Sequence, residues 1–127
     1  NNFTITIPQD ETIYFKSSGA FGYSRTDYAN FVMTGTIECG GNIMSLLYGD
    51  DFEGASGLTI SSVFCFTHLF DGCTSLTTAP VLPATTLAEG CYQNMFQYCA
   101  NLTSAPQLPA TTLKKYCYSY RKLKGIK

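Results

Sequence analysis

The feature that most constrains this chain is a six-residue segment, LPATTL, which occurs at positions 82–87 and again at 108–113. When the chain is aligned with itself so that Leu82 falls on Leu108, the match extends from 73–98 onto 99–120. A repeat period of about 20 to 50 residues is typical of solenoids, in which each unit stacks on the next because it cannot bury its apolar side alone. The repeat therefore predicts a short stack of 26-residue coils.

The cysteines follow the same period. All six fall on two phases of the 26-residue repeat, one with Cys39, Cys65, Cys91 and Cys117 and the other with Cys73 and Cys99. An even number of cysteines fits disulfides, and coils about 4.8 Å apart lie within reach of a bridge. We favour columns of buried free thiols, because the repeat alone explains the spacing. Zinc is disfavoured, because zinc sites use close cysteine pairs that this spacing lacks.

Each repeat unit predicts a short strand, a proline-bounded turn and a short helix. Residues 75–83, SLTTAPVLP, favour a strand that passes into a turn. Thr86 followed by Glu89 is a capping-box pattern, which marks a helix start. The apolar side chains that follow recur at every fourth position and predict one buried helical face, with Leu87, Cys91, Met95 and Cys99.

The N-terminal part predicts a different structure, a small antiparallel β cap over the first coil. Alternation of apolar residues and threonines from Phe3 to Ile7 favours a strand, and residues 12–18 and 30–39 favour two more. Such a cap would cover apolar side chains and strand edges that an end coil exposes. The predicted fold class is thus an α/β solenoid of strand-plus-helix coils, with a cap over 1–52 and repeats over 53–127.

The repeats resemble the BspA-like class of leucine-rich repeats. The resemblance rests on the Cys-x-x-Leu spacing, the Leu-Pro turn and the aromatic-rich segment CYQNMFQYC at 91–99. Residues 34–52 also resemble the segment that precedes such repeats in surface proteins of anaerobic gut bacteria and in proteins of their phages. The resemblance covers roughly residues 34–120. The last repeat is incomplete, because the aromatic and cysteine positions of the pattern are taken by Arg121, Lys122 and Gly125.

This resemblance implies a non-enzymatic protein that is secreted or displayed on a cell surface. We expect a repeat module that binds a host or bacterial surface protein or glycan, or that serves as a spacer in a larger adhesin. The alternative is a structural or receptor-binding component of a phage tail or appendage. A hydrolase would require paired carboxylates within about 5–10 Å of each other.

The charges are segregated along the chain. All nine acidic residues lie between Asp10 and Glu89, and six of the eight basic residues lie within 114–127. We interpret the basic end as a solvated end of the stack, because no basic stripe accompanies aromatic residues as in nucleic-acid-binding proteins. No apolar run approaches the roughly 18 residues of a membrane span, so we expect no direct membrane insertion.

No pattern predicts a catalytic, cofactor or metal site. His68 is the only histidine, and a nucleophilic pair with Cys65 is conceivable. By its phase in the repeat, His68 matches Asn94 and Tyr120, which favour exposed helix positions, so we expect His68 to be exposed. A carboxylate cluster could bind Ca²⁺ or perform acid–base chemistry. We favour a turn bounded by glycines for this cluster, which comprises Asp50, Asp51 and Glu53.

The candidate binding surface is a nearly uncharged ladder of threonine and serine along the predicted strands. We call it the threonine face, and it comprises Thr77, Thr78, Val81, Thr103, Ser104 and Gln107. Solenoids use such repeated faces for extended recognition of proteins or glycans. The alternative is that these side chains only solvate the sheet.

Overall fold

The structure, a computed structural model, describes residues 4–17, 19, 24, 26–53 and 58–117 of the 127-residue chain. Its regular elements are short, and they are strand β1 (Ile37–Glu38), helix α1 (Ser45–Tyr48), a 3₁₀ helix (Gly49–Asp51) and strand β2 (Leu76–Thr78). The start of the first predicted strand at Phe3 and the incomplete last repeat after residue 117 lie outside the described residues.

The two strands pair in parallel and form one small sheet. Ile37 lies opposite Leu76, and Glu38 lies opposite Thr78, with an irregularity between the two pairs. β2 falls within the strand predicted at 75–83. These elements alone do not define a solenoid, so the predicted fold class stays a prediction.

The segment 31–43 runs beside 69–81 in the same direction. Four of its N–H groups donate to carbonyls of the later segment at 2.8–3.1 Å, from Phe31, Ile37, Cys39 and Ile43 to Leu69, Ser75, Thr78 and Val81. The predicted antiparallel cap is therefore wrong for the described residues, because this segment pairs in parallel with the first repeat rather than with its own neighbours. Since Cys39 bonds to Thr78, it does not follow the 26-residue phase of Cys65.

Residues 64–72 and 89–98 lie side by side as two runs of consecutive tight turns, which we call the turn ladder. Alternate N–H groups of the first run donate to carbonyls of the second at 2.8–3.0 Å, from Phe64, Phe66, His68, Phe70 and Gly72 to Glu89, Cys91, Gln93, Met95 and Gln97. The intervening N–H groups of the first run, those of Thr67, Leu69 and Asp71, each donate to the carbonyl three positions earlier and close the turns. Buried backbone groups need such partners, and the turn ladder supplies them.

The predicted helix over 87–99 is wrong, because the turn ladder occupies this segment. Every fourth residue has a left-handed backbone, with φ of 64° at Gly90, 54° at Asn94 and 62° at Tyr98. An α-helix needs an unbroken right-handed backbone and bonds to the fourth residue back, and the left-handed residues interrupt both. The apolar side chains recur at every fourth residue because the turns themselves recur every four residues.

A column of four phenylalanine rings runs from the exposed Phe15 into the core, where Phe70 and Phe96 are buried. Neighbouring ring centroids lie 5.3, 5.5 and 5.5 Å apart along the series Phe15, Phe31, Phe70 and Phe96. The last two rings occupy equivalent positions of successive repeats and are nearly parallel, with an interplanar angle of 3°. The column joins Phe15 and Phe31 of the N-terminal part to the two repeats.

The two copies of LPATTL differ in burial although their sequences are identical. Leu87 in the first copy is 3% exposed, whereas the equivalent Leu113 in the second copy is 60% exposed. Leu82 is buried and its equivalent Leu108 is half-buried. Described residues lie on both sides of the first copy, because Thr85 and Thr86 donate to Leu58 and the following Gly90 donates to Lys115.

We predict that the same substitution has unequal effects in the two copies. Leu87→Ala should lower the free energy of unfolding by about 2–5 kcal/mol, because it leaves a cavity in the core. Leu113→Ala should change it by less than about 1 kcal/mol. Urea unfolding followed by circular dichroism measures both values, and equal losses would contradict the assigned burial.

A second matched pair tests the turn ladder. Gly72 and Gly90 both have left-handed φ, but only at Gly90 would a Cβ meet a neighbouring side chain, the ring of Phe64. Gly72→Ala should cost about 1 kcal/mol through backbone strain. Gly90→Ala should cost about 1–3 kcal/mol more through overpacking, measured by the same unfolding experiment. Indistinguishable costs would show that the two turn runs are not in contact there.

Candidate functional site

β1, β2 and the start of the second repeat bring the threonine face together. The N–H and the hydroxyl of Thr103 both donate to the carbonyl of Thr77, at 3.3 and 3.2 Å. The hydroxyl of Thr77 donates in turn to the carbonyl of Ile37 at 3.2 Å. These two hydroxyl groups therefore join one segment to the next and have no donor left for a ligand.

The rest of the threonine face is directed to solvent. Thr78, Ser104 and Gln107 are exposed, and their side chains make no hydrogen bond within the described ranges. Val81 is 58% exposed, and its backbone N–H and C=O both bond to residues 41–43 at 2.7 and 3.0 Å. Four predicted residues are thus exposed and uncharged, and backbone hydrogen bonds hold the segment of two of them, Thr78 and Val81.

His68 lies in a polar cluster that the sequence did not predict. Its Nδ1 is 2.6 Å from a carboxylate oxygen of Asp71, and its ring stacks on Tyr28 with centroids 4.3 Å apart. Its Nε2 is 3.4 Å from the amide nitrogen of Asn94. The predicted exposed position is therefore wrong, because His68 is half-buried and both ring nitrogens are engaged.

The nucleophilic pair considered for His68 is not formed. No hydrogen bond joins His68 to Cys65 in the part of the chain that the structure describes. Asn94 follows His68 by one repeat, so their contact could have been inferred from the 26-residue period. The contact with Tyr28 could not, because Tyr28 lies outside the repeats.

The structure holds all six cysteines as thiols, and five of them are buried. Cys73 donates to the carbonyl of Phe31 at 3.1 Å, and Cys99 donates to that of Phe70 at 3.0 Å. Burial raises the pKa of Cys73 to about 12, and the neighbouring Cys99 thiol contributes to that rise. Burial likewise raises the pKa of Cys91 to about 12. These thiols are therefore uncharged at neutral pH and serve as small core side chains.

The acidic cluster lies in and beside the 3₁₀ helix and is exposed. Asp50 pairs with Lys16 at 2.9 Å, and both side chains are solvated, so the pair contributes little stability. Within the described ranges, no group of three or more His, Cys, Asp or Glu residues could hold a metal ion. None of the helices described is long and apolar enough to cross a bilayer.

Comparison of this chain with protein-family models, with curated proteins and with solved structures finds no match. The resemblance to BspA-like leucine-rich repeats therefore rests on the sequence motifs alone. It stays a prediction, as do the location, the ligand class and the domain boundary at residue 52.

The buried thiols predict a loss of stability at high pH. Burial raises the pKa of Cys91 from 9.0 to about 12, so the unfolded chain releases this proton first as the pH rises. The stabilisation is complete below pH 9.0 and is lost toward pH 12, with a slope of up to about 1.4 kcal/mol per pH unit for each such thiol.

Urea unfolding at stepped pH measures this slope. Cys91→Ala should make the slope shallower, because its thiol no longer titrates. Cys39→Ala is the matched control, and it should change the slope less because Cys39 is only half-buried. Identical slopes for the unmodified chain and Cys91→Ala would contradict the prediction.

Proposed function

We propose that this protein is a non-enzymatic repeat module that binds a protein or a glycan through the threonine face, outside the cell or at its surface. In this proposal the chain forms a short solenoid of the leucine-rich-repeat kind. The turn ladder takes the place of the helix that such a coil was expected to contain.

The contacts between copies support the repeat architecture. In the turn ladder, each of the alternate N–H groups of the first copy donates to the carbonyl one position before the equivalent residue of the next copy. Phe66, for example, donates to Cys91. The threonine bond joins the equivalent residues Thr77 and Thr103, and the stacked rings of Phe70 and Phe96 are equivalent as well. Stacked repeats of one unit are what distinguish a solenoid from other small α/β folds.

The exposed part of the threonine face supports a binding role. Thr78 and Ser104 each offer a hydroxyl, and Gln107 offers an amide, so all three can donate and accept hydrogen bonds. Val81 adds an exposed apolar side chain. Sites for small molecules are concave, whereas this surface follows β2 and the segment of Ser104, which Thr103 bonds to β2. An extended partner, such as a polysaccharide chain or a protein loop, fits it better than a small molecule.

One observation carries the proposal. Along the same two segments, Thr77 and Thr103 use their hydroxyl groups to hold the backbone, whereas Thr78 and Ser104 leave theirs to solvent. When the fold positions polar groups but leaves them without hydrogen bonds inside the protein, they can bind a ligand with little loss of conformational entropy.

A glycan array and a panel of surface glycoproteins would test the binding role. The double variant Thr78→Lys, Ser104→Lys should raise the dissociation constant of a bound ligand by at least about tenfold, because it places two charges in the centre of the threonine face. The control Ser61→Lys, Ser62→Lys adds the same charge at two exposed serines elsewhere and should bind as the unmodified chain does.

Circular dichroism and thermal unfolding establish that both double variants fold. Equal binding by the two variants would reject the threonine face as the binding surface. Failure of the unmodified chain to bind any glycan or glycoprotein in the panel would contradict the proposed function itself.

A further inference from the structure

β1 adds a carboxylate beside the threonine face that the 26-residue period does not predict. Glu38 lies opposite Thr78 in the parallel sheet, and both residues are exposed. Because neighbouring strands lie about 4.8 Å apart, the two side chains are neighbours. One repeat period before Thr78 the sequence has Phe52, so the period alone does not lead to Glu38.

An extra residue in β2 directs Thr78 to the same side of the sheet as Glu38. Ile37 and Glu38 are consecutive, whereas Thr77 lies between their partners, Leu76 and Thr78. In a regular strand, residues two positions apart face the same side, so Thr78 would share the buried side of Leu76. The extra residue instead leaves Leu76 buried and Thr78 exposed. Irregularities of this kind re-aim side chains and are over-represented next to active sites.

Ser104 extends this pair into a row of three exposed polar residues. We call it the Glu38 row, and it comprises Glu38, Thr78 and Ser104. Ser104 is the equivalent of Thr78 in the second repeat, and the preceding Thr103 donates to the carbonyl of Thr77. Within the described ranges, the side chains of the Glu38 row make no hydrogen bond or ion pair. Their polar groups are therefore open to a ligand.

The Glu38 row combines a negative charge with two hydroxyl groups. A carboxylate only accepts hydrogen bonds, whereas a hydroxyl both donates and accepts them. A primary ammonium group complements the carboxylate, because it only donates, and the opposite charges strengthen the hydrogen bond. The hydroxyl groups of a sugar complement Thr78 and Ser104, because each of them also donates and accepts.

The composition of the threonine face favours a glycan as the source of the ammonium group. The core of a protein–protein interface is depleted of charge and enriched in aromatic side chains, which carry much of the binding energy. The solvent-facing residues of the threonine face include a single apolar side chain, that of Val81, and no aromatic ring. A hydroxyl-rich ligand matches this surface better than a protein partner does.

We propose that the threonine face binds a glycan with free amino groups and that Glu38 is the residue that selects the amine. The inference rests on the proposed function, because it takes the same surface as the binding site, and it adds the class of ligand. An ammonium group of the glycan contacts the Glu38 carboxylate, while neighbouring sugar hydroxyls contact Thr78 and Ser104. The binding is non-covalent.

Two oligosaccharides that differ only at the amine test the proposal, a glucosamine oligomer and its N-acetylated form. Calorimetric titration of the full chain is carried out in mildly acidic buffer, in which the sugar amines carry a positive charge. The dissociation constant of the glucosamine oligomer should be lower than that of the acetylated form by at least about fivefold.

A matched pair of variants assigns this preference to one carboxylate. Glu38→Gln removes the charge while keeping the shape of the side chain, so it should bind both oligosaccharides equally. Glu89→Gln makes the same change at an exposed carboxylate of the turn ladder and should keep the preference of the unmodified chain. Circular dichroism establishes that both variants fold.

The remaining outcomes separate this inference from the proposed function. Equal binding of the two oligosaccharides, or binding only of other glycans that lack amino groups, would overturn the amine selectivity and leave glycan binding intact. A preference that persists in Glu38→Gln would overturn the role of Glu38. Poly-lysine is the third probe, and Glu38-dependent binding of poly-lysine without either oligosaccharide would overturn the glycan as the source of the amine. Failure to bind any glycan or glycoprotein would contradict the proposed function itself.

Discussion

The structure depends on a single hydrogen-bonding pattern, in which alternate backbone N–H groups of one turn run donate to carbonyls of the equivalent run in the next repeat. Each run therefore satisfies only half of its N–H groups internally and needs a neighbour for the others. Because an unpartnered buried N–H is costly, each of the two runs is stabilised by the run beside it. The same register sets Phe70 on Phe96 and places His68 beside Asn94. Backbone pairing and side-chain packing thus specify the same alignment of the two copies.

The sequence predicted the period of these contacts but not the conformation that produces them. Apolar residues at every fourth position suit a helix and a run of four-residue turns equally well. The distinguishing signal was the placement of Gly72, Gly90 and Asn94 at positions that require left-handed φ, which these residue types adopt at low cost. The distance of one repeat period between Cys39 and Cys65 wrongly suggested that both occupy equivalent positions of the stack. The first segment pairs with 69–81 at a wider spacing than the repeat period, and α1 and the 3₁₀ helix occupy the additional length.

The candidate site shows the same limit at the level of side chains. Thr77 and Thr78 are adjacent and identical in sequence, yet only the hydroxyl of Thr77 reaches a carbonyl of β1. That difference depends on which segment lies beside the strand, which the sequence does not specify. Tyr28 likewise covers His68 from a distant part of the chain. By contrast, the exposure of Val81, Ser104 and Gln107 agrees with their place between core positions of the repeat.

NMR couplings transmitted through hydrogen bonds, from amide nitrogen to carbonyl carbon, test the pairing of the turn runs most directly. We expect couplings from the amides of Phe66, His68 and Phe70 to the carbonyls of Cys91, Gln93 and Met95. Such couplings would identify both partners of each bond and the register of the two runs at once. Couplings within residues 87–99 from each amide to the carbonyl four positions earlier would instead reveal a helix, and they would contradict the turn ladder on which the stacking of the repeats rests.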